Sequence, residues 1–188
     1  MSTPEARSVA VFCASRAGVA DYRALAHALG VAMAAQGVTL IFGGGNSGLM
    51  GAVCDGVLSD GGTAIGVLPT FMQMKGWHSP ECTELVLVAD MHARKAWMES
   101  HADAFIILPG GIGTLDELIT VMTTRQLAQH AKPIILLDPD DYYAPFMELL
   151  RHMISHGFLN DAITQMPERH PTPAAALAAI DRALAARP

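Results

Sequence analysis

Ala104-Phe105-Ile106-Ile107-Leu108-Pro109-Gly110-Gly111-Ile112-Gly113-Thr114-Leu115-Asp116-Glu117 decides the fold. Ala104 to Leu108 is continuously apolar, the pattern of a strand buried on both faces. Pro109 and the glycines break it, and a long helix follows to about His130. Gly110, Gly111 and Gly113 let the backbone approach a ligand closely, and Thr114 adds a hydroxyl. The free N–H groups at the helix start carry the positive end of its dipole, which makes this turn a phosphate site.

The same pattern of strand, turn and helix recurs along the chain. Strands are predicted at Ser8 to Cys13, Val38 to Phe42, Thr63 to Leu68 (broken by Pro69), Leu85 to Val88 and Pro133 to Leu137. A last short strand is predicted at Ile163 to Met166. Helices are predicted from an Asp21 cap to Ala35 with Gly37 as the stop, over Leu49 to Ser59, and from an Asp90 cap over Met91 to His101. Two more cover Tyr143 to His156 and Pro173 to Ala186. Phe71 to Thr83 reads as an irregular loop or lid. Apolar strands separated by helices imply a Rossmann-like, doubly wound, mostly parallel α/β sheet with helices on both faces, in one domain over 1–188. Ligands of such sheets bind beyond the carboxyl ends of the strands, where both glycine-rich turns lie.

The other turn is Gly43-Gly44-Gly45-Asn46-Ser47-Gly48, in which Gly43, Gly45 and Gly48 satisfy G-x-G-x-x-G. A nicotinamide site also wants an acid at the end of the next strand. That strand ends Val67-Leu68-Pro69-Thr70, without a carboxylate. No G-K-[ST] follows, which argues against an ATP-hydrolysing loop. Phosphate binding and a tight turn for helix–strand packing both remain open for these glycines.

Composition narrows the function. The chain of 188 residues carries a net charge of −6, is 51% hydrophobic and only 16% charged. No basic footprint exists for nucleic acid or an anionic membrane. No apolar run is long enough to span a bilayer, and Met1 to Ser8 is polar, unlike a secretory signal. Cys13, Cys54 and Cys82 are odd in number and form no C-x-x-C, so they read as reduced thiols of a cytoplasmic protein with no metal site. The apolar excess leaves surface for a partner subunit.

Met91-His92-Ala93-Arg94-Lys95 begins a helix at the same end of the sheet as the turns. Only three lysines occur, so adjacent Arg94 and Lys95 concentrate positive charge. Arg94 either pairs with a phosphate or leaving group through its planar fork or belongs to a solvated helix face. His92 reads as a helix-start residue. Thr114-x-x-Glu117 fits a capping box. In the alternative reading, Glu117 faces the ligand, where a carboxylate beside a sugar stabilises an oxocarbenium ion or orients water.

These three segments, with Leu49-Met50-Gly51 after the first turn, resemble the Lonely Guy (LOG) family of cytokinin riboside 5′-monophosphate phosphoribohydrolases. Its signature P-G-G-x-G-T-x-x-E stands complete at Pro109 to Glu117, and the resemblance covers roughly Val9 to Gly157. It implies a homodimer that hydrolyses the N-glycosidic bond of an N6-modified AMP to a free base and ribose 5-phosphate, without cofactor. It implies Arg94 and Glu117 as the catalytic pair. Gly44, Gly45, Ser47, Met91, Lys95, Gly110, Gly111, Ile112, Gly113, Thr114 and Thr123 would contact the nucleoside monophosphate. The chain departs from the family at Ala14 of Phe12-Cys13-Ala14-Ser15, at Gly76 where plant members carry an acid, at Thr120, and at Thr124 and Arg125. These changes touch the base pocket and leave the phosphate and ribose end intact. Some relatives are labelled lysine decarboxylases, but nothing in the sequence shows a pyridoxal arrangement. Two other readings compete: a non-catalytic carrier of a phosphorylated ligand such as molybdenum cofactor, and a dinucleotide-dependent oxidoreductase.

Overall fold

Alternate residues of each central strand point into two different cores, as a sheet covered on both faces requires. In a computed structural model that describes residues 7–186, Val9 and Val11 of the first strand pack on one side and Ala10 and Phe12 on the other. Most of the polar start read at Met1 to Ser8 lies outside the described residues.

The chain order is β1 (Ser8–Phe12), α1 (Arg23–Ala35), β2 (Thr39–Phe42), α2 (Gly48–Ser59), β3 (Ala64–Pro69), α3 (Thr70–Gln73), β4 (Glu84–Val88), α4 (Met91–His101), β5 (Ala104–Ile107), α5 (Ile112–Gln126), β6 (Ile134–Leu137), α6 (Ala144–Ser155), a 3-10 turn (Asp161–Gln165), β7 (Pro167–His170) and α7 (Pro173–Ala185). All seven strands are parallel, in the order β4-β3-β2-β1-β5-β6-β7. Helices α1, α2 and α7 cover one face, and α4, α5 and α6 cover the other. The predicted Rossmann-like α/β architecture is the one observed.

From β1 the chain builds outward through β2 and β3 to β4, then crosses back to β5 on the other side of β1. Strand order therefore reverses between β1 and β5. The loops after these two strands diverge and leave a crevice at their carboxyl ends.

Several boundaries differ from expectation. Asp21 is not the N-cap of α1, which is Tyr22: it sits at φ 48 with its carboxylate on the Arg23 guanidinium, and its Oδ1 also accepts the Arg23 amide at 3.4 Å. Pro69 ends β3 inside the ladder, opposite Val88, and the supposed irregular segment opens with α3. Helix α5 stops at Gln126, because Ala128 turns to φ 57 and the His130 ring folds back to within 3.0 Å of the Val121 carbonyl. The last strand is Pro167–His170, not Ile163 to Met166; buried Ile163 anchors the preceding 3-10 turn. Asp90 caps α4 as expected, accepting from the Ala93 amide at 2.8 Å. Among the described residues no helix is long and apolar enough to cross a membrane.

Candidate active site

An open cleft of about 480 Å³ occupies the crevice between the β1 and β5 loops. Its walls come from the β1–α1 loop (Cys13 to Gly18), the β5–α5 turn (Pro109 to Thr114) and the start of α4, with Tyr22, Met50 and Tyr142 at its sides.

The β5–α5 turn supplies donors. Gly111 is the N-cap of α5, and the first amide bonded within the helix is Leu115, which donates to the Gly111 carbonyl at 3.0 Å. The amides of Ile112, Gly113 and Thr114 have no partner among the described residues. A Cβ at Gly111 or Gly113 would meet nothing within 4 Å, so packing does not require glycine there; the lack of a side chain leaves these amides uncovered. Gly110 is glycine for another reason, since its Cβ would lie 2.1 Å from the Thr114 hydroxyl. Two tyrosines brace the turn: Tyr142 donates to the Gly110 carbonyl at 2.7 Å, and buried Tyr143 donates to the Leu108 carbonyl at 2.6 Å.

No capping box forms. The helix opens three residues before Thr114, which places Thr114 and Glu117 on the buried side of its first turns, 3% and 7% exposed. Glu117 faces Arg94 instead, with Oε1 3.4 Å from Nη2. Arg94 is equally buried, and its Nε has no hydrogen-bond partner. The contact is longer than the roughly 2.7–2.9 Å of a tight charge-assisted hydrogen bond. Both groups thus keep capacity for a third species in the cleft. Burial pushes the Glu117 carboxyl up to about 7; Arg94 opposes the rise, neighbouring Asp116 adds to it and Lys95 opposes it. Burial, reinforced by Glu117, also raises the Cys13 thiol and keeps it protonated, which removes it as a nucleophile.

The first glycine-rich turn positions the site without lining it. A Cβ on Gly43 would fall 1.8 Å from Arg94 Nη2, so this glycine makes room for the guanidinium. Gly44 and Gly45 are engaged by the following loop: the Ser79 amide donates to the Gly44 carbonyl at 2.7 Å, and Gly45 bridges His78. Ser47 bonds the Ser15 carbonyl at 3.2 Å. The amides of Leu49 and Met50, which would face a pyrophosphate in a dinucleotide site, both donate to the Ala14 carbonyl, at 3.0 and 3.3 Å. That engagement argues against the oxidoreductase reading.

Of the residues expected at the ligand, Met91, Arg94, Glu117 and the run Gly110 to Thr114 line the cleft. Lys95 lies off it, binding both Asp116 oxygens at 2.8 and 2.9 Å and the Thr120 hydroxyl at 3.2 Å, so it ties α4 to α5. Thr123 is exposed further along α5, and Gly44, Gly45 and Ser47 face the loops just described. Sequence reasoning missed Arg16, Tyr22 and Tyr142. For the tyrosines the available signal was an aromatic just before a helix start, which many loops share. Among the described residues no three His, Cys, Asp or Glu side chains gather as a metal site.

Residues 50–180 match the family model described as "Possible lysine decarboxylase". The chain is 40% identical to the cytokinin riboside 5′-monophosphate phosphoribohydrolase of Rhodococcoides fascians, over 85% of this chain and 81% of that protein. It is 39% identical to an Arabidopsis thaliana enzyme of the same name, over 82% and 73%. Among solved structures, the molybdenum cofactor binding protein of Rippkaea orientalis superposes with a TM-score of 0.75 at 21% identity, covering 97% of this chain and 99% of that one. The molybdenum cofactor carrier protein of Chlamydomonas reinhardtii superposes at 0.74 and 22%, covering 96% and 99%. At these identities the structural likeness establishes the fold alone. The sequence matches go further, and the chain belongs to the Lonely Guy family, the family of the cytokinin riboside 5′-monophosphate phosphoribohydrolases.

Proposed function

We propose that this chain hydrolyses the N-glycosidic bond of a nucleoside 5′-monophosphate, an AMP modified at N6, to the free base and ribose 5-phosphate. The observation that carries this reading is the buried Arg94–Glu117 contact on the floor of a cleft whose wall is the uncovered amide end of α5. A phosphate on those amides leaves the sugar to extend toward the pair. As the C1′–N9 bond breaks, its electron pair leaves with the base and positive charge grows on the ribose. Ionised Glu117 stabilises that charge and takes a proton from the water whose oxygen bonds to C1′. The proton then passes to the departing base. Arg94 holds Glu117 and the nucleotide in register.

The family description as a lysine decarboxylase does not fit the residues present. A pyridoxal group needs a lysine for its Schiff base, and Lys75, Lys95 and Lys132 all lie off the cleft. A ligand carrier without turnover shares the fold but has no need of a carboxylate against an arginine beneath the phosphate wall. We place the protein in the cytoplasm, which its three free cysteines support. We infer a homodimer, supported by exposed Ile119 on α5 and exposed Leu127 at its C-cap; sedimentation giving a monomer overturns it.

The test is a panel of nucleotides, with release of base and ribose 5-phosphate followed chromatographically. Wild-type protein is expected to release both. Glu117→Gln is expected to lose about 10²- to 10⁴-fold in turnover. Undiminished turnover in Glu117→Gln removes the mechanism, and tight retention of a nucleotide or pterin without cleavage favours the carrier.

A further inference from the structure

Arg16 is a cation at the cleft that neither glycine-rich turn nor the family signature contains. It lines the same cavity as Gly111 to Thr114, it is exposed, and its side chain makes no ion pair or hydrogen bond among the described residues. Its neighbours' charges are otherwise committed. Arg94 faces Glu117, and Lys95 is held by Asp116 outside the cleft. A doubly charged phosphate on the α5 amides would thus meet neutral donors on one side, and among the described residues Arg16 is the uncommitted cation of the cleft wall.

The backbone that carries Arg16 is fixed by the helix behind it. Gly48, at φ +59, lies so close that a Cβ there would fall 2.3 Å from the Arg16 nitrogen and 2.3 Å from the Ser15 carbonyl carbon. Ala14 accepts the two amides at the start of α2, and Ser47 bonds the Ser15 carbonyl. Beyond Arg16, the Ala17 carbonyl accepts the Tyr22 amide at 3.1 Å, so the loop is held on both sides of Arg16 while the side chain stays free to swing over the cleft. That is a suitable design for an arm that closes on an anion: an anchored base, a long reach and no competing partner.

We propose that Arg16 forms the second half of the 5′-phosphate site, pairing its guanidinium with the phosphate held by the Ile112, Gly113 and Thr114 amides, and so selects nucleoside monophosphates over nucleosides. This rests on the phosphoribohydrolase reading and deepens it, because it assigns phosphate selection to a residue outside the signature. A hydrogen bond between charged groups of this kind corresponds to about ten- to a hundredfold in affinity.

The test is calorimetric titration of AMP, ribose 5-phosphate and adenosine into wild type, Arg16→Ala and Arg16→Lys, at low and high salt. Arg16→Ala is expected to weaken AMP and ribose 5-phosphate by about tenfold or more, to leave adenosine unchanged, and to lose part of the salt dependence. Arg16→Lys is expected to recover part of the loss. Wild-type binding of AMP that Arg16→Ala matches overturns the assignment and leaves the functional reading standing. Equal weakening of AMP and adenosine also overturns it, since the residue then shapes the cleft without reading the phosphate. Wild type that binds neither AMP nor ribose 5-phosphate sinks the functional reading and the assignment with it. Arg16 is exposed, so both variants are expected to keep the parent's circular dichroism spectrum.

Discussion

At the scale of single residues, the proposed chemistry depends on a buried carboxyl group whose proton affinity the fold has raised. Glu117 ionises near 4.5 in an unfolded chain, and burial raises it to about 7 in the fold. Between those values the folded protein holds a proton that the unfolded chain has released. This contribution to stability is therefore complete below pH 4.5 and is lost as pH rises through 7. Glu117→Gln has no such dependence. Its stability relative to wild type is expected to increase by up to about 3 kcal/mol between pH 4.5 and pH 8. Urea unfolding at both pH values measures this, and a constant difference overturns the assignment. The mechanism proposed above needs the ionised form, so kcat/KM is expected to rise through pH 7 and level above it. Gly43 supplies a second test. A Cβ there collides with the end of the Arg94 side chain and not with backbone, so Gly43→Ala is expected to fold while moving the guanidinium. The loss in kcat is expected to be about a hundredfold, with the circular dichroism spectrum unchanged.

At the scale of elements, the sequence was most legible where one physical rule acted alone. Apart from Ser8 and Thr39 at the starts of β1 and β2, strands β1, β2, β5 and β6 are runs of Val, Ile, Leu, Ala and Phe buried on both faces, and they stand within a residue or so of where hydrophobicity placed them. Strand β7 was not legible because it is an edge strand of Pro167, Glu168, Arg169 and His170. Charge and proline guard such an edge against pairing with other chains, and they also hide it from any apolar pattern. Thr114 and Glu117 were ambiguous because a capping box and a buried catalytic face share the same spacing. Only the position of the N-cap, Gly111, separates the two. The G-x-G-x-x-G string was ambiguous for a related reason: its glycines do serve close approach, but the approaching groups are Arg94 and the Ser15–Arg16 backbone. Gly48→Ala combines a strained positive φ with a backbone overlap that no rotamer relieves. It is expected to destabilise by about 2 kcal/mol or more, read as a lower urea midpoint at unchanged m-value.

At the scale of the whole molecule, the position of the site follows from strand order more than from any motif. The crevice exists because the chain returns from β4 to β5 across β1, and that return also carries α4 and Arg94 over the sheet to meet α5. No local pattern in the sequence encodes that meeting; it needed the topology or the family resemblance. A ligand that binds there stabilises only the folded chain. Ribose 5-phosphate at a hundred times its Kd is expected to add about 2.7 kcal/mol, or roughly 5 to 10 °C in Tm for a chain of this length. Scanning calorimetry with and without the sugar phosphate checks this, and an unchanged Tm at saturating concentration speaks against the site.

The clamp between the Ala14 carbonyl and the first amides of α2 has one further consequence, for evolution on this scaffold. A descendant that adopted a dinucleotide would have to retract that carbonyl, and the only route is to shorten or re-route the loop that bears Arg16. A pyrophosphate on those two amides and the present course of the loop are therefore mutually exclusive. The glycine-rich string, although it shares its pattern with dinucleotide enzymes, is here closed to a pyrophosphate by the chain's own β1–α1 loop.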